Sequence, residues 1–448
     1  EAFFAAADAF LGVVLRPVLV IACALLFAPV AGAEEPDLTT QLWDLARLPT
    51  AAERTAEVER LAALPIGVSD WRMAAERAVS YPDRVPGTRQ ETAALVVGGA
   101  TESTTITVHV PKGYDPKAAA PLLLVFHGTG GDGTQVARPW IPVAETLGMI
   151  IVSPHDARAD QGYSQSAAER EAAWAALRWA RLRFHIDENR IYASGVSRGG
   201  HLVWDLALRQ PDRFAAIAPM IGGPRLSNVN GQNNLRYVEN LVDVPIRDLQ
   251  GVDDDPFLVQ NLRMTFKRLE ELGAPDAEVV AFPDLGHAYR FDAVDWVAFL
   301  TSAVREPTPQ RVVRRSAREG EGRARFVEIL ATKKPTEELF GLKVDARKWG
   351  RLSQNERRAV IAKLAEDKTA RLEVRYVEPG FFTVRREGVK RFRLLLTEEM
   401  LGDGQTIEVR VSGRKRRLRV KPDARVLLTE FAERFDRTFL PVAEVVVR

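Results

Sequence analysis

The stretch Arg190-Ile191-Tyr192-Ala193-Ser194-Gly195-Val196-Ser197-Arg198-Gly199-Gly200-His201 decides the fold. Arg190–Ala193 has the β-branched and aromatic content of a short strand, and Gly199–Arg209 has the apolar spacing of a helix. Between them, Gly195-x-Ser197-x-Gly199 must turn sharply, and its glycines lack the side chains that would collide there. Gly-x-Ser-x-Gly alone is a weak signal; a strand before it and a helix after it give it meaning. That context presents Ser197 at a helix N-terminus, where the local field favours developing negative charge. A serine hydroxyl is a poor nucleophile at neutral pH, so it needs a base and a group to orient that base.

Outward from this turn, short apolar strands alternate with helical patterns. Strands are expected at Ala93–Val97, Thr104–Val110, Leu122–Phe126, Ile150–Val152, Ile191–Ala193, Ala215–Ala218, Ile246–Leu249 and Val279–Phe282. Helices are expected near Pro142–Leu147, Ala167–Phe184, Gly199–Arg209, Leu258–Leu272 and Ala293–Val304. This alternation predicts an α/β fold with a mostly parallel, doubly wound sheet over residues 93–305. Residues 34–92 read as a helical N-terminal extension, and the Pro-, Arg-, Glu- and Gly-rich 306–322 as a linker. Residues 323–448, with short alternating runs and the turn Ser412-Gly413, read as a small β-rich accessory domain. One helix there, Ser353–Glu366, opens with the capping box Ser353-x-x-Glu356.

His287 is the candidate base, on a loop after Val279–Phe282 where Gly286 lets the backbone turn. His201 is its main rival, but on the helix after Ser197 it points along the helix wall. The orienting acid belongs at the end of an intervening strand, which places it in Asp253-Asp254-Asp255-Pro256. Asp254 is favoured among the three; a neighbour would cap the helix that Pro256 begins. Phe126-His127-Gly128-Thr129-Gly130-Gly131 follows a strand and can aim the N–H of Thr129 at a substrate oxygen, with the Arg198 N–H as second donor. No Gly-Lys-Ser/Thr or Gly-x-Gly-x-x-Gly fingerprint makes this turn a phosphate cradle.

Taken with Gly113-Tyr114-Asp115-Pro116, Pro121–Gly131, Ile186–Tyr192 and Pro211–Ala216, these motifs resemble one branch of the α/β-hydrolases. That branch contains polyhydroxybutyrate-depolymerase-like, feruloyl and acetyl-xylan esterases, and the resemblance covers about residues 93–304. It implies a Ser197–His287–Asp254 triad, Thr129 and Arg198 as oxyanion donors, and acyl transfer with neither metal nor organic cofactor. The implied partner is an ester, free or attached to a polysaccharide or polyester. Two features depart from the pattern: Gln250-Gly251 stands where members often have His-Gly, and Thr129 occupies a variable position. Two other readings use the same parts, a serine peptidase of the prolyl-oligopeptidase kind and a non-catalytic envelope- or polysaccharide-binding protein. The lack of propeller-like repeats weighs against the first, and the intact Ser, Asp and His in order against the second.

The totals set outer bounds. The 448 residues carry 62 Lys/Arg and 60 Asp/Glu, but residues 306–448 hold 34 and 22 of these and the remainder 28 and 38. The basic excess reads as a solvated face, with no aromatic-interleaved motif to suggest nucleic acid. Cys23, the single cysteine, excludes an internal disulfide and a Cys-based zinc site. It lies in the apolar run Pro17–Val30, which Arg16 precedes and Ala31-Gly32-Ala33 follows. Residues 1–33 therefore read as a signal peptide of a secreted or periplasmic protein. A retained membrane anchor and a lipid on Cys23 are the alternatives. Trp140, Tyr163 and Trp204 are expected in the core rather than in a pocket, and Arg414-Lys415-Arg416-Arg417 as a solvated hairpin.

Overall fold

A computed structural model describes residues 37–77, 81–155, 166–226, 233–318, 320–333, 344–402 and 405–448. The sequence alternation becomes strands β1 (Gly87–Val97), β2 (Ala100–Val110), β3 (Ala120–Phe126), β4 (Ile150–Pro154), β5 (Ile186–Val196), β6 (Ala216–Met220), β7 (Ile246–Gly251) and β8 (Ala277–Phe282). Among the described residues these eight form one sheet in the order β1-β2-β4-β3-β5-β6-β7-β8. The β1–β2 and β2–β4 pairings are antiparallel, and β4-β3-β5-β6-β7-β8 run parallel.

Helices in chain order are α1 (Leu38–Arg47), α2 (Ala51–Ala62), α3 (Val68–Glu76), α4 (Gly133–Ala137), α5 (Ile141–Leu147), α6 (Ala167–Arg181), α7 (Arg198–Arg209), α8 (Pro256–Glu271), α9 (Trp296–Ser302), α10 (Ala346–Trp349), α11 (Gln354–Asp367) and α12 (Ala424–Arg434). The two apolar faces of the parallel strands bury separate clusters. Leu122, Leu124 and Phe126 pack with α6, α7 and α8 residues, while Leu123, Val125 and Ile151 pack with α5 and α9 residues. A strand buried on both faces has to read as a continuous apolar run, which is why Leu122–Phe126 has no polar residue. The order reverses between β3 and β5, opening a crevice at their carboxyl ends where α/β sheets take ligands. Both the 127–131 turn and Ser197 lie there.

The C-terminal part contributes β9 (Arg311–Ser316), β10 (Arg323–Ala324), β11 (Val327–Thr332), β12 (Ala370–Glu378), β13 (Phe381–Glu387), β14 (Val389–Leu396), β15 (Thr406–Val411), β16 (Arg414–Arg419) and β17 (Ala443–Val447). They form a sheet β10-β11-β14-β17 and a sheet β16-β15-β13-β12-β9. Phe326, Leu372, Phe382, Phe392, Leu394 and Ile407 fill their shared core. Ser412 and Gly413 both take positive φ, +47° and +85°, the hairpin geometry their sequence predicts. β16 is an exposed edge strand whose Arg and Lys side chains discourage pairing with another chain.

Two expected boundaries need correction. The stretch 306–322 is no linker: Arg311–Ser316 pairs antiparallel with β12, and its residues are largely buried. Its arginines made it look solvated, but Arg315 is buried against Glu239, Nε to Oε2 2.5 Å. Residues 87–92, read as part of the helical extension, are the first half of β1. The extension itself packs α1–α3 on α12 through Leu45, Leu61, Trp71, Leu428 and Phe431. Leu38–Arg448 is accordingly one compact unit.

Part of the C-terminal basic excess lies in buried pairs rather than on a solvated face. Glu239 accepts from Arg315 and from Arg371, and Asp212 from Arg434 at 2.6 Å. Burial pushes the Glu239 carboxyl up, but Arg371 and Arg315 outweigh it and hold the pKa below its usual value. Glu239→Ala would take one carboxylate from each of two guanidinium groups, leaving Arg315 with Glu366 and Arg371 with Glu373, so it is expected to lower stability by about 1–3 kcal/mol, read as a lower urea midpoint.

Candidate active site

Ser197 joins β5 to α7 with φ +55° and ψ −112°, a conformation that a non-glycine residue adopts only under constraint. The surroundings show why the flanking residues are glycine. A Cβ on Gly195 would lie 2.4 Å from Gly199 C, and one on Gly199 2.0 Å from Phe126 O. The turn is fixed from the other side, where Ser197 N–H donates to Met220 O at 2.8 Å and Ser197 O accepts from His201 N–H at 3.0 Å.

The end of β7 and the loop after β8 approach each other as closely. A Cβ on Gly251 would fall 1.9 Å from Gly286 O, and the Asp253 N–H donates to Leu285 O at 3.0 Å. This contact brings His287 over the elbow: its Nε2 lies 2.9 Å from Ser197 Oγ and its Nδ1 2.8 Å from Asp254 Oδ2. The His287 side chain is 50% exposed and that of Asp254 only 7%. The three aspartates separate cleanly. Asp255 caps α8, accepting from Phe257 and Leu258 N–H, Asp253 is exposed, and Asp254 alone meets the imidazole.

Burial pushes the Asp254 carboxyl up, but the Asp255 N–H, Gln250 Nε2 and His287 outweigh it and hold the pKa below its usual value. An ionised Asp254 can only accept, so Nδ1 of His287 carries the proton and Nε2 of the neutral ring is left to accept from Ser197 Oγ–H. His201, the rival histidine, is tied by Nδ1 to the backbone of Gly223, and burial pushes its pKa down to about 4. His109, His127, His155 and His185 are held elsewhere, by Thr88, Gly128 O, Thr107 and Pro116 O.

The Gly-rich turn lies against the elbow: a Cβ on Gly128 would come 3.2 Å from Val196 O and 3.4 Å from Ser197 Cβ. Gly131 N–H closes it onto Gly128 O at 3.1 Å, which puts Gly130 at φ +72°. Thr129 follows Gly128 as an exposed residue. Arg198 is the first residue of α7, and its buried side chain pairs with Glu169 at the start of α6. Trp140 and Trp204 are core residues, packed on Trp296 and bonded to Asp248 respectively. Tyr163 and Cys23 lie outside the described residues.

Sequence reasoning missed Gln250 as part of the site. It is buried, and its Nε2 donates to Asp254 Oδ2 at 2.9 Å, the same oxygen that receives His287. A neutral polar side chain at the end of β7, four residues before Asp254, was the available signal. Gln250→Leu removes a donor that stabilises the charged carboxylate, so the Asp254 pKa rises. The acidic limb of the rate profile is expected to move to higher pH, and kcat/KM at neutral pH to fall about tenfold. A profile unchanged from wild type would remove Gln250 from the site.

No family model matches the chain. Curated relatives do. A bifunctional acetylxylan esterase/xylanase of Neocallimastix patriciarum is 27% identical over 172 residues, 37% of this chain and 24% of that protein. A protein named "probable feruloyl esterase C" of Aspergillus terreus is 23% identical over 38% of this chain and 63% of its own. A poly(3-hydroxyalkanoate) depolymerase C of Paucimonas lemoignei is 27% identical over 26% of this chain and 30% of its own. The chain thus spans less than two thirds of each relative's length. Sheet order and strained elbow give the chain an α/β-hydrolase fold, and the curated relatives it resembles are named as esterases and a depolymerase.

Proposed function

We propose that the protein is a serine esterase that hydrolyses carboxylic esters through an acyl-enzyme. The observation that carries this reading is the unbroken hydrogen-bonded line from Ser197 Oγ through His287 to Asp254, at 2.9 and 2.8 Å. In the first step Ser197 Oγ attacks the ester carbonyl and passes its proton to His287 Nε2. Asp254 fixes the tautomer and stabilises the imidazolium. The tetrahedral oxygen sits between the N–H groups of Thr129 and Arg198, which act on charge that develops only in that intermediate. Collapse breaks the C–O bond, and the alkoxide leaves with the proton from His287. Water then attacks the acyl-enzyme, giving its proton to His287, and Ser197 recovers it as the carboxylic acid departs. These steps use no metal or organic cofactor.

The relatives' names extend the proposal to acetyl, feruloyl or hydroxyalkanoate esters carried on a polysaccharide or polyester. The apolar run Pro17–Val30 and the small residues after it support secretion to the medium or periplasm, with an anchor or a lipid on Cys23 as alternatives. That run lies outside the described residues, among which no helix is long and apolar enough to cross a membrane.

A panel of aryl acetate, methyl ferulate, a short hydroxybutyrate ester and an aminoacyl p-nitroanilide tests the reaction class. At least one ester should be turned over and the amide left intact. Cleavage of the amide alone would replace the esterase reading with a peptidase.

A further inference from the structure

A cavity of about 460 Å³ lies away from Ser197, between α1, α2, β1, α6 and α12. Its walls carry an unusual density of guanidinium groups, among them Arg54, Arg178, Arg183 and Arg213. These four have partners, but the partners are neutral. Arg178 donates to the carbonyls of Ala46 and Ala432, and Arg54 to those of Leu48 and Pro49. Arg183 donates to Trp179 O and lies over that ring at 4.4 Å, and Arg213 donates to Gln210 Oε1 and lies over Trp174 at 4.6 Å. None of the four makes an ion pair among the described residues. Carbonyls and ring faces satisfy N–H groups without cancelling charge, and a guanidinium does not shed its proton to escape.

Two carboxylates also line the space; Glu433 acts on Arg54, but neither forms an ion pair with any of the four arginines among the described residues. Glu171 reaches out to the Gly98 N–H at 2.5 Å, and burial, then Glu430, pushes the Glu433 carboxyl above its usual pKa. Burial, then the charges of Arg54 and Arg181, pushes Arg178 down to about 10. Cations held near one another with no ion-paired carboxylate are a standing cost that an anion would relieve. The remaining walls are apolar, with Trp174, Ala175, Leu95 and Leu48, and the volume far exceeds what an inorganic anion fills.

We propose that this cavity binds an amphipathic carboxylate, its head among the arginines and its apolar body against Trp174 and Leu95. The site is separate from Ser197 and does not depend on the esterase reading. Octanoate, titrated calorimetrically into the full chain, is the probe, with octanamide as its uncharged counterpart. Arg213→Gln removes a cation, and Ala94→Glu adds a carboxylate at the exposed rim without touching a buried residue. Octanoate should bind at least tenfold more tightly than octanamide, and each variant should weaken it tenfold or more. If Arg213→Gln does not fold, Ala94→Glu decides alone. Equal affinity for acid and amide, or octanoate binding unchanged by Ala94→Glu, would overturn the proposal.

Discussion

Ser197→Ala is expected to lower kcat for a short aryl ester by a factor on the order of 10⁶ while leaving KM within a fewfold of wild type. The size follows from what the oxygen does. Without it no acyl-enzyme forms, and what remains is the contribution of the oxyanion donors and of substrate binding, roughly 10³–10⁴ over water. His287→Ala is expected to cost nearly as much, because an unactivated serine attacks poorly. The informative result is the double variant. Groups that act as one unit are not additive, so Ser197→Ala with His287→Ala should be no slower than either single change. Separate rate assays on the three proteins, with folding checked by urea midpoint, measure this. Multiplicative losses would mean that the two side chains act independently, against the 2.9 Å contact between them.

Gly251→Ala is the second large effect, and it reaches the chemistry through the backbone. The added carbon would fall 1.9 Å from Gly286 O and 2.5 Å from Leu285 O, and neither atom is the end of a flexible side chain. The two segments are also tied together by Val252 N–H to Phe282 O and Asp253 N–H to Leu285 O, each at 3.0 Å. The only relief is to part the β7 end from the 283–287 loop, which moves His287 relative to both Asp254 and Ser197. A misplacement of about 1 Å can cost 10²-fold, so kcat/KM is expected to fall by at least about 10². Stability should fall by about 3 kcal/mol or more, as for other forced backbone shifts in packed regions. Gly113→Ala is the control, since a Cβ there meets nothing within 4 Å, and it should behave as wild type.

The parallel half of the fold could be read because its information is local. Leu122–Phe126, Ile150–Val152 and Val279–Phe282 are continuous apolar runs, and Ser197, Asp254 and His287 follow strand ends in order. The choice among three adjacent aspartates could not be made from composition, because one cap, one exposed residue and one partner of His287 share the same chemistry. In the fold, the close approach of Gly251 and Gly286 presents Asp254 to the imidazole.

The C-terminal half was harder for a different reason. Arg311–Ser316 and Ala424–Arg434 are rich in charge, so their patterns look solvated, yet Arg314, Arg315 and Glu430 are buried. Their burial depends on partners far along the chain: Arg315 on Glu239, Arg434 on Asp212, Arg323 on Glu430. No local window contains such pairs. The same holds for β17, whose place beside β14 is set by the sheet and not by its own five residues. Gln250 belongs to this class as well, a buried amide whose purpose shows only once Asp254 is beside it.

The most direct test of the central claim is covalent. A fluorophosphonate reacts with a serine whose hydroxyl is activated by a neighbouring base, and the adduct can be located by peptide mass mapping. The wild-type protein should take up one equivalent, all of it on the peptide that contains Ser197, with Ser197→Ala taking up none. A wild-type protein that stays unlabelled, or that carries the adduct on another serine, would contradict the assignment of Ser197 as nucleophile.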